Sequence, residues 1–93
     1  MVKIIGNDVW RAGAKIGYID GDHIRTHDGH RIGYFEGNYV YNQDGNKTAT
    51  IENDYLVSYG SNMRIPLDKV NESVEGGVLP EIGKCAVYVL LGS

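Results

Sequence analysis

From residue 2 to residue 63 apolar and polar positions alternate in short runs, and turn-forming residues interrupt them about every eight residues, a stride suited to strands and too short for a helix. The clearest part is a sixteen-residue unit written twice, Ile16-Gly-Tyr-Ile-Asp-Gly-Asp-His-Ile-Arg-Thr-His-Asp-Gly-His-Arg31 and Ile32-Gly-Tyr-Phe-Glu-Gly-Asn-Tyr-Val-Tyr-Asn-Gln-Asp-Gly-Asn-Lys47. Six of the sixteen positions are identical and at least five more are conservative swaps, so the two units carry one local structure. Fainter copies flank them: Ile4-Ile5-Gly6-Asn7-Asp8-Val9 before, and Ile51-Glu52-Asn53-Asp54-Tyr55-Leu56 after. A repeat of this length is a supersecondary unit that cannot bury its apolar side alone and stacks on its copies. Four units predict an all-β object of four β-hairpins around a pseudo-fourfold axis.

Within each unit the Gly-Asn, Gly-Asp or Asn-Asp pair accepts the positive φ that a two-residue hairpin turn requires. That turn sets the register. Asp20 faces His23, Ile19 faces Ile24, Tyr18 faces Arg25 and Gly17 faces Thr26; the same arithmetic joins Ile4 to Val9, Phe35 to Val40 and Ile51 to Leu56. One face of every hairpin is therefore apolar at its tip and small further back, at Gly17, Gly33 and Ala49. The other face carries Lys3 opposite Trp10, Tyr18 opposite Arg25, Tyr34 opposite Tyr41 and Thr50 opposite Val57. Between hairpins, Asp28-Gly29 and Asp44-Gly45 predict tight type I′ connections, with Gly13 and Gly60-Ser61 in the outer units.

Beyond Arg64 the repeat fades. Ile65-Pro66-Leu67 is expected to be extended, because the residue before proline avoids the helical region, and Val70 and Val74 stand at the spacing of one or two helical turns within Asp68 to Gly77. The run Cys85-Ala-Val-Tyr-Val-Leu-Leu91 is too short for a membrane span, which needs about twenty residues, and predicts a strand buried on both faces. The chain is thus expected to be a single domain, 1–93, with four hairpins over 2–63 and a C-terminal extension over 64–93 that ends in a buried apolar strand.

Ninety-three residues support a modest core, near the size at which oligomerisation often supplements it. Thirteen glycines and seven tyrosines against one Phe and one Trp fit the turn-rich β reading. A net charge of −3 supplies no basic field, which argues against nucleic acid and anionic membrane as partners. The single Cys85 forms no internal disulfide, and its apolar neighbours mark it as a small buried hydrophobe. Met1 leads straight into Val-Lys-Ile-Ile-Gly without the pattern of a secretory signal, so the expected location is cytoplasmic.

The spacing of the Ile-Gly-Tyr-x-acid-Gly units, together with Leu79-Pro80-Glu81-Ile82-Gly83 before an apolar end, resembles the small bacterial 4-fold beta flower proteins, chiefly over residues 2 to 63. The resemblance implies four hairpin petals around a pseudo-fourfold axis and carries no activity or functional residue with it. Asn53 in place of Gly, and Thr48-Ala49-Thr50 in place of Ile-Gly-Tyr, depart from the pattern in the fourth unit.

Chemistry-bearing residues are sparse. His23 and His27 lie four apart on one strand, about 13 Å, and cannot chelate together. His27 and His30 flank a turn beside Asp28, but the next unit has Gln43 and Asn46 at those places, and zinc or copper needs three or four ligands. Asp20 and Glu36 recur in successive hairpins, which points to a structural role in each hairpin. No nucleophile elbow is present, and no metal or cofactor is expected. The expectation is a non-enzymatic structural or protein-interaction module, a homo-oligomer or a binder of another protein. The alternative is a small-ligand or glycan-binding module whose candidate contacts are Trp10, Tyr18, Tyr34 and Tyr41, since stacked aromatic faces hold sugars and quaternary amines.

Overall fold

A computed structural model of the chain describes residues 2–61, 63–77 and 79–91. Eight strands follow in four hairpins: β1 (Val2–Ile5) with β2 (Asp8–Arg11), β3 (Ala14–Asp20) with β4 (His23–Thr26), β5 (Arg31–Glu36) with β6 (Tyr39–Asn42), and β7 (Lys47–Glu52) with β8 (Tyr55–Ser58). Then come β9 (Arg64–Pro66), helix α1 (Leu67–Ser73), β10 (Val74–Gly76) and helix α2 (Glu81–Leu90). All ten strands form one sheet in the order β10-β1-β2-β3-β4-β5-β6-β7-β8-β9, antiparallel except for β10, which runs parallel to β1. The chain is therefore mostly strand in a single large sheet, in line with the all-β reading.

Turn chemistry sets the pairing as the sequence implies. Ile4 meets Val9, Ile19 meets Ile24, Phe35 meets Val40 and Ile51 meets Leu56. In the tip turns the positive φ falls on the first residue of the pair alone (Gly6, Gly21, Gly37, Asn53), the pattern of a type II′ turn. The connections between hairpins differ from the expected type I′. Gly29 donates its N–H to the Thr26 carbonyl and Gly45 to that of Asn42, each 3.0 Å, and among the neighbouring turn residues only the glycine is left-handed. This is a type I turn closed by a glycine bulge, and it uses the Asp at a position that needs no positive φ.

The type I′ turn appears instead at Ala12-Gly13, between the paired Arg11 and Ala14, where Ala12 sits at φ 52°. A left-handed alanine costs roughly 1–2 kcal/mol, and asparagine tolerates the region better. Ala12→Asn is expected to raise unfolding stability by about 0.5–1 kcal/mol, read as a higher urea midpoint with unchanged slope.

One irregularity recurs. The ladder slips by one residue between Val9 and Trp10, between Ile24 and Arg25, and between Val40 and Tyr41, leaving Ile16, Ile32 and Thr48 as the extra residues. Each sits at the same place in its unit. Hairpins are also laced to their successors: the carbonyls of Asn7, Asp22, Asn38 and Asp54 accept from the N–H groups of Ile19, Phe35, Ile51 and Leu67 at 2.8–3.0 Å. The fourth such bond goes to the start of α1, which takes the place a fifth hairpin would occupy.

The C-terminal apolar run is a helix and not the buried strand expected from its composition. A strand lying against the inner face of the sheet would leave its N–H and C=O groups without partners, whereas a helix satisfies them internally. The expected helical turn is found at Leu67–Ser73, with Val70 buried on it, but Val74 already belongs to β10. The extended segment ends at Pro66, and Leu67 opens the helix.

Strands from the middle of the sheet, β4 to β6, and from its edge, β10, all touch α2, so the sheet curls around that helix. The core is one cluster in which Ile82, Cys85, Ala86 and Val87 of α2 meet Val9, Ile24, Val40 and Leu56 of the strands. Gly83 lies beside Phe35 near the hairpin tips, and Leu90 and Leu91 lie beside Gly33 and Gly17 towards the opposite end. The small inner-face positions therefore admit the last turn of α2. No basic residue stands in that turn; Arg11 from β2 donates to the Leu91 carbonyl at 3.0 Å and complements the negative end of the helix.

Candidate functional site

Alternation fixes what the outer face displays. Tyr18 stands between buried Gly17 and Ile19, Tyr34 between Gly33 and Phe35, and Tyr41 beside buried Val40, so the rings project to the other side. Each of four tyrosines lies under a cation: Lys15 Nζ is 5.3 Å from the centre of Tyr18, Arg31 Cζ 5.4 Å from Tyr34, Lys47 Nζ 3.9 Å from Tyr39 and Arg64 Cζ 4.9 Å from Tyr55. Lys15, Arg31 and Lys47 occupy one position of the sixteen-residue unit, three residues before Tyr18, Tyr34 and Thr50. Where the fourth unit has Thr50 in place of tyrosine, Lys47 turns instead to Tyr39, the cross-strand partner of Thr50.

The candidate residues Tyr34 and Tyr41 do come together. Their rings stack at 4.7 Å and 8°, Tyr39 tilts against Tyr41 at 6.3 Å, and His23 tilts against Tyr34 at 5.7 Å. The His23 Nε2 lies 3.4 Å from an Asp22 carboxylate oxygen, and its Nδ1 is buried without a partner among the described residues. Tyr18 is two strands away, beyond β4. Trp10 stands apart again, in a hollow of about 310 Å³ at the β10 side of the sheet. The four candidate residues thus share a face without forming one pocket.

Two expected partnerships are exchanged. Arg25 is the register partner of Tyr18, but its guanidinium bonds Asp20 at 3.2 Å and the Gly29 carbonyl at 2.9 Å, which leaves Tyr18 to Lys15. Asp20 accordingly serves Arg25 and not His23, and Lys15 also reaches Asp8 at 3.0 Å. The basic residues over the rings were legible only as a recurring Lys or Arg sixteen residues apart, a signal masked by the more conspicuous tyrosines.

His27, Asp28 and His30 line a shallow hollow with Ile16 and Ile32. The hydroxyl of Thr26 donates to Asp28 and is the main cause that holds that carboxyl below its usual value; desolvation opposes it, and the backbone N–H groups of His30 and Asp28 and the charge of His27 add to the lowering. Any stability this provides is present above the ordinary carboxylate pKa and fades as pH falls through the lowered one. Asp28 is thus tied to its own turn. Asp54, Asp68 and Glu81 surround a hollow of about 410 Å³ beside the first turns of α1 and α2, where no side chain among the described residues caps either helix. Carboxylates there complement the positive helix ends. Among the described residues no group of three His, Cys, Asp or Glu side chains is placed to hold a metal ion. Burial, followed by the charge of Glu81, pushes the Cys85 thiol up to about 12, which fits a packing role. No helix among the described residues is long and apolar enough to cross a membrane. Compared with family models, curated proteins and solved structures, the chain finds no match.

Proposed function

We propose that the chain is a non-enzymatic interaction module that binds a second copy of itself through the outer face of β4 to β7. The observation that carries this reading is the stacked Tyr34–Tyr41 pair, flanked by Tyr39 and His23 and bordered by Arg31 and Lys47. Tyrosine and arginine are enriched at protein interfaces because they bring large contact area together with polar reach. Here the rings are already held by one another, so little side-chain freedom is lost on docking. A face holding both members of a cation–ring pair is self-complementary under a two-fold axis, which favours a second copy over an unrelated partner.

The same reading sets the four hairpins around an axis occupied by α2, as kinship with the 4-fold beta flower proteins would have it. The bulges at Ile16, Ile32 and Thr48 and the four inter-hairpin bonds support that arrangement.

Sedimentation velocity tests the interaction. The expected result is a dimer at about ten micromolar, with Tyr34→Ala/Tyr41→Ala weakening association at least about tenfold while the far-ultraviolet dichroism is retained. A wild-type chain that stays monomeric at about a hundred micromolar would overturn the reading.

A further inference from the structure

The geometry points to a second site, at the β10 edge of the sheet, and we propose that it binds a small zwitterion of the α-amino-acid type with an apolar side chain. It is independent of the self-association, whose patch lies on β4 to β7. Register places Glu75 beside Lys3, and Lys3 beside Trp10, in one row across β10, β1 and β2. Val2, Ile4, Val9 and Val74 alternate with this row and are buried on the inner face, so the row itself faces outward. Ile5, 57% exposed, extends the apolar wall, and the Ala12-Gly13 turn closes one end of the hollow of about 310 Å³. That volume suits a small ligand.

Two features narrow the ligand. Indole is the strongest cation acceptor among the aromatic side chains, yet neither of its cross-strand lysines covers Trp10: Lys15 is engaged with Asp8 and Tyr18, and Lys3 lies over no ring among the described residues. Lys3 and Glu75 are register neighbours of opposite charge, and neither stands in an ion pair among the described residues. The row thus runs from a negative group through a positive one to the half-buried indole. In that order an ammonium would meet Glu75, the adjoining carboxylate would meet Lys3, and the apolar side chain would lie against Trp10 and Ile5. A ligand with one charge alone leaves one of the two protein charges unanswered.

Trp10 is the only tryptophan, so its fluorescence reports the site directly. The wild-type chain is titrated with L-phenylalanine, phenethylamine and 3-phenylpropionate, exciting where the tryptophan alone absorbs. The expected result is saturation by phenylalanine in the millimolar range, with the amine and the acid each about threefold or more weaker. Glu75→Gln should erase the preference over 3-phenylpropionate, and Lys3→Met the preference over phenethylamine. Tyr34→Ala/Tyr41→Ala should bind phenylalanine as the wild type does, which separates this site from the dimer patch. No saturable response up to about 20 mM, or equal binding of the three compounds by the wild type, would overturn the proposal.

Discussion

Ile24→Ala is expected to lower the unfolding free energy by about 2–5 kcal/mol. Ile24 is fully buried, pairs with Ile19 across the tip of the second hairpin and with Gly33 of the next, and belongs to the cluster packed on α2. Truncation removes its transfer free energy and leaves a cavity between the sheet and the helix, which close packing on both sides prevents from collapsing. A chain of this length is held by about 5–14 kcal/mol, so this one change removes a large part of the total. The matched control is Ile5→Ala. Ile5 is on the outer face and more than half exposed, and its truncation is expected to shift stability by less than about 0.5 kcal/mol. Equilibrium urea unfolding of both variants checks the difference. A larger loss for Ile5→Ala would mean that the inner and outer faces had been assigned the wrong way round, and equal losses that the two side chains are buried alike.

The assignment of faces was legible in the sequence because turn residues and alternation constrain a hairpin doubly. Gly21-Asp22 fixes which residues meet, and the positions of Ile19 and Ile24 then fix which side is oily; the structure keeps every one of those pairs. The C-terminal run was not legible in that way. Ile82 through Leu91 is apolar almost throughout, and a run without polar positions has no period to read. Pro80 and Glu81 were the available signal, since proline at a helix start and an acid in the first turn both favour helix. What decides between strand and helix there is tertiary, the lack of hydrogen-bond partners on the inner face of a sheet already paired edge to edge. β10 escaped notice for a related reason: three residues that pair with the first strand carry no local pattern of their own. On the outer face, Tyr34 opposite Tyr41 followed from register alone. Trp10 stands apart from Tyr34 and Tyr41 because β3 and β4 lie between β2 and β5, and the cations over the rings depended on side-chain choices that register leaves open.

Gly33→Ala is expected to cost about 1–3 kcal/mol, a large penalty for a single methyl group. A Cβ at this position would fall on the Tyr41 carbonyl oxygen of the neighbouring strand and within 2.6 Å of a Leu90 methyl of α2. The leucine can rotate; the carbonyl is part of the ladder between β5 and β6 and moves only with its strand. Combining Gly33→Ala with Leu90→Ala separates the two contributions. The double variant is expected to lose about 1 kcal/mol less than the sum of the single losses, because the clash with Leu90 is then absent, while the carbonyl clash persists and the full stability does not return. Gly17 provides an independent copy of the experiment, since a Cβ there would lie 2.5 Å from the Arg25 carbonyl oxygen and 3.1 Å from Leu91. Additive losses for the Gly33 and Leu90 pair would show that the last turn of α2 does not press on the sheet. The curled arrangement, in which hairpins close around a central helix and small residues make room for its end, would then have to be given up.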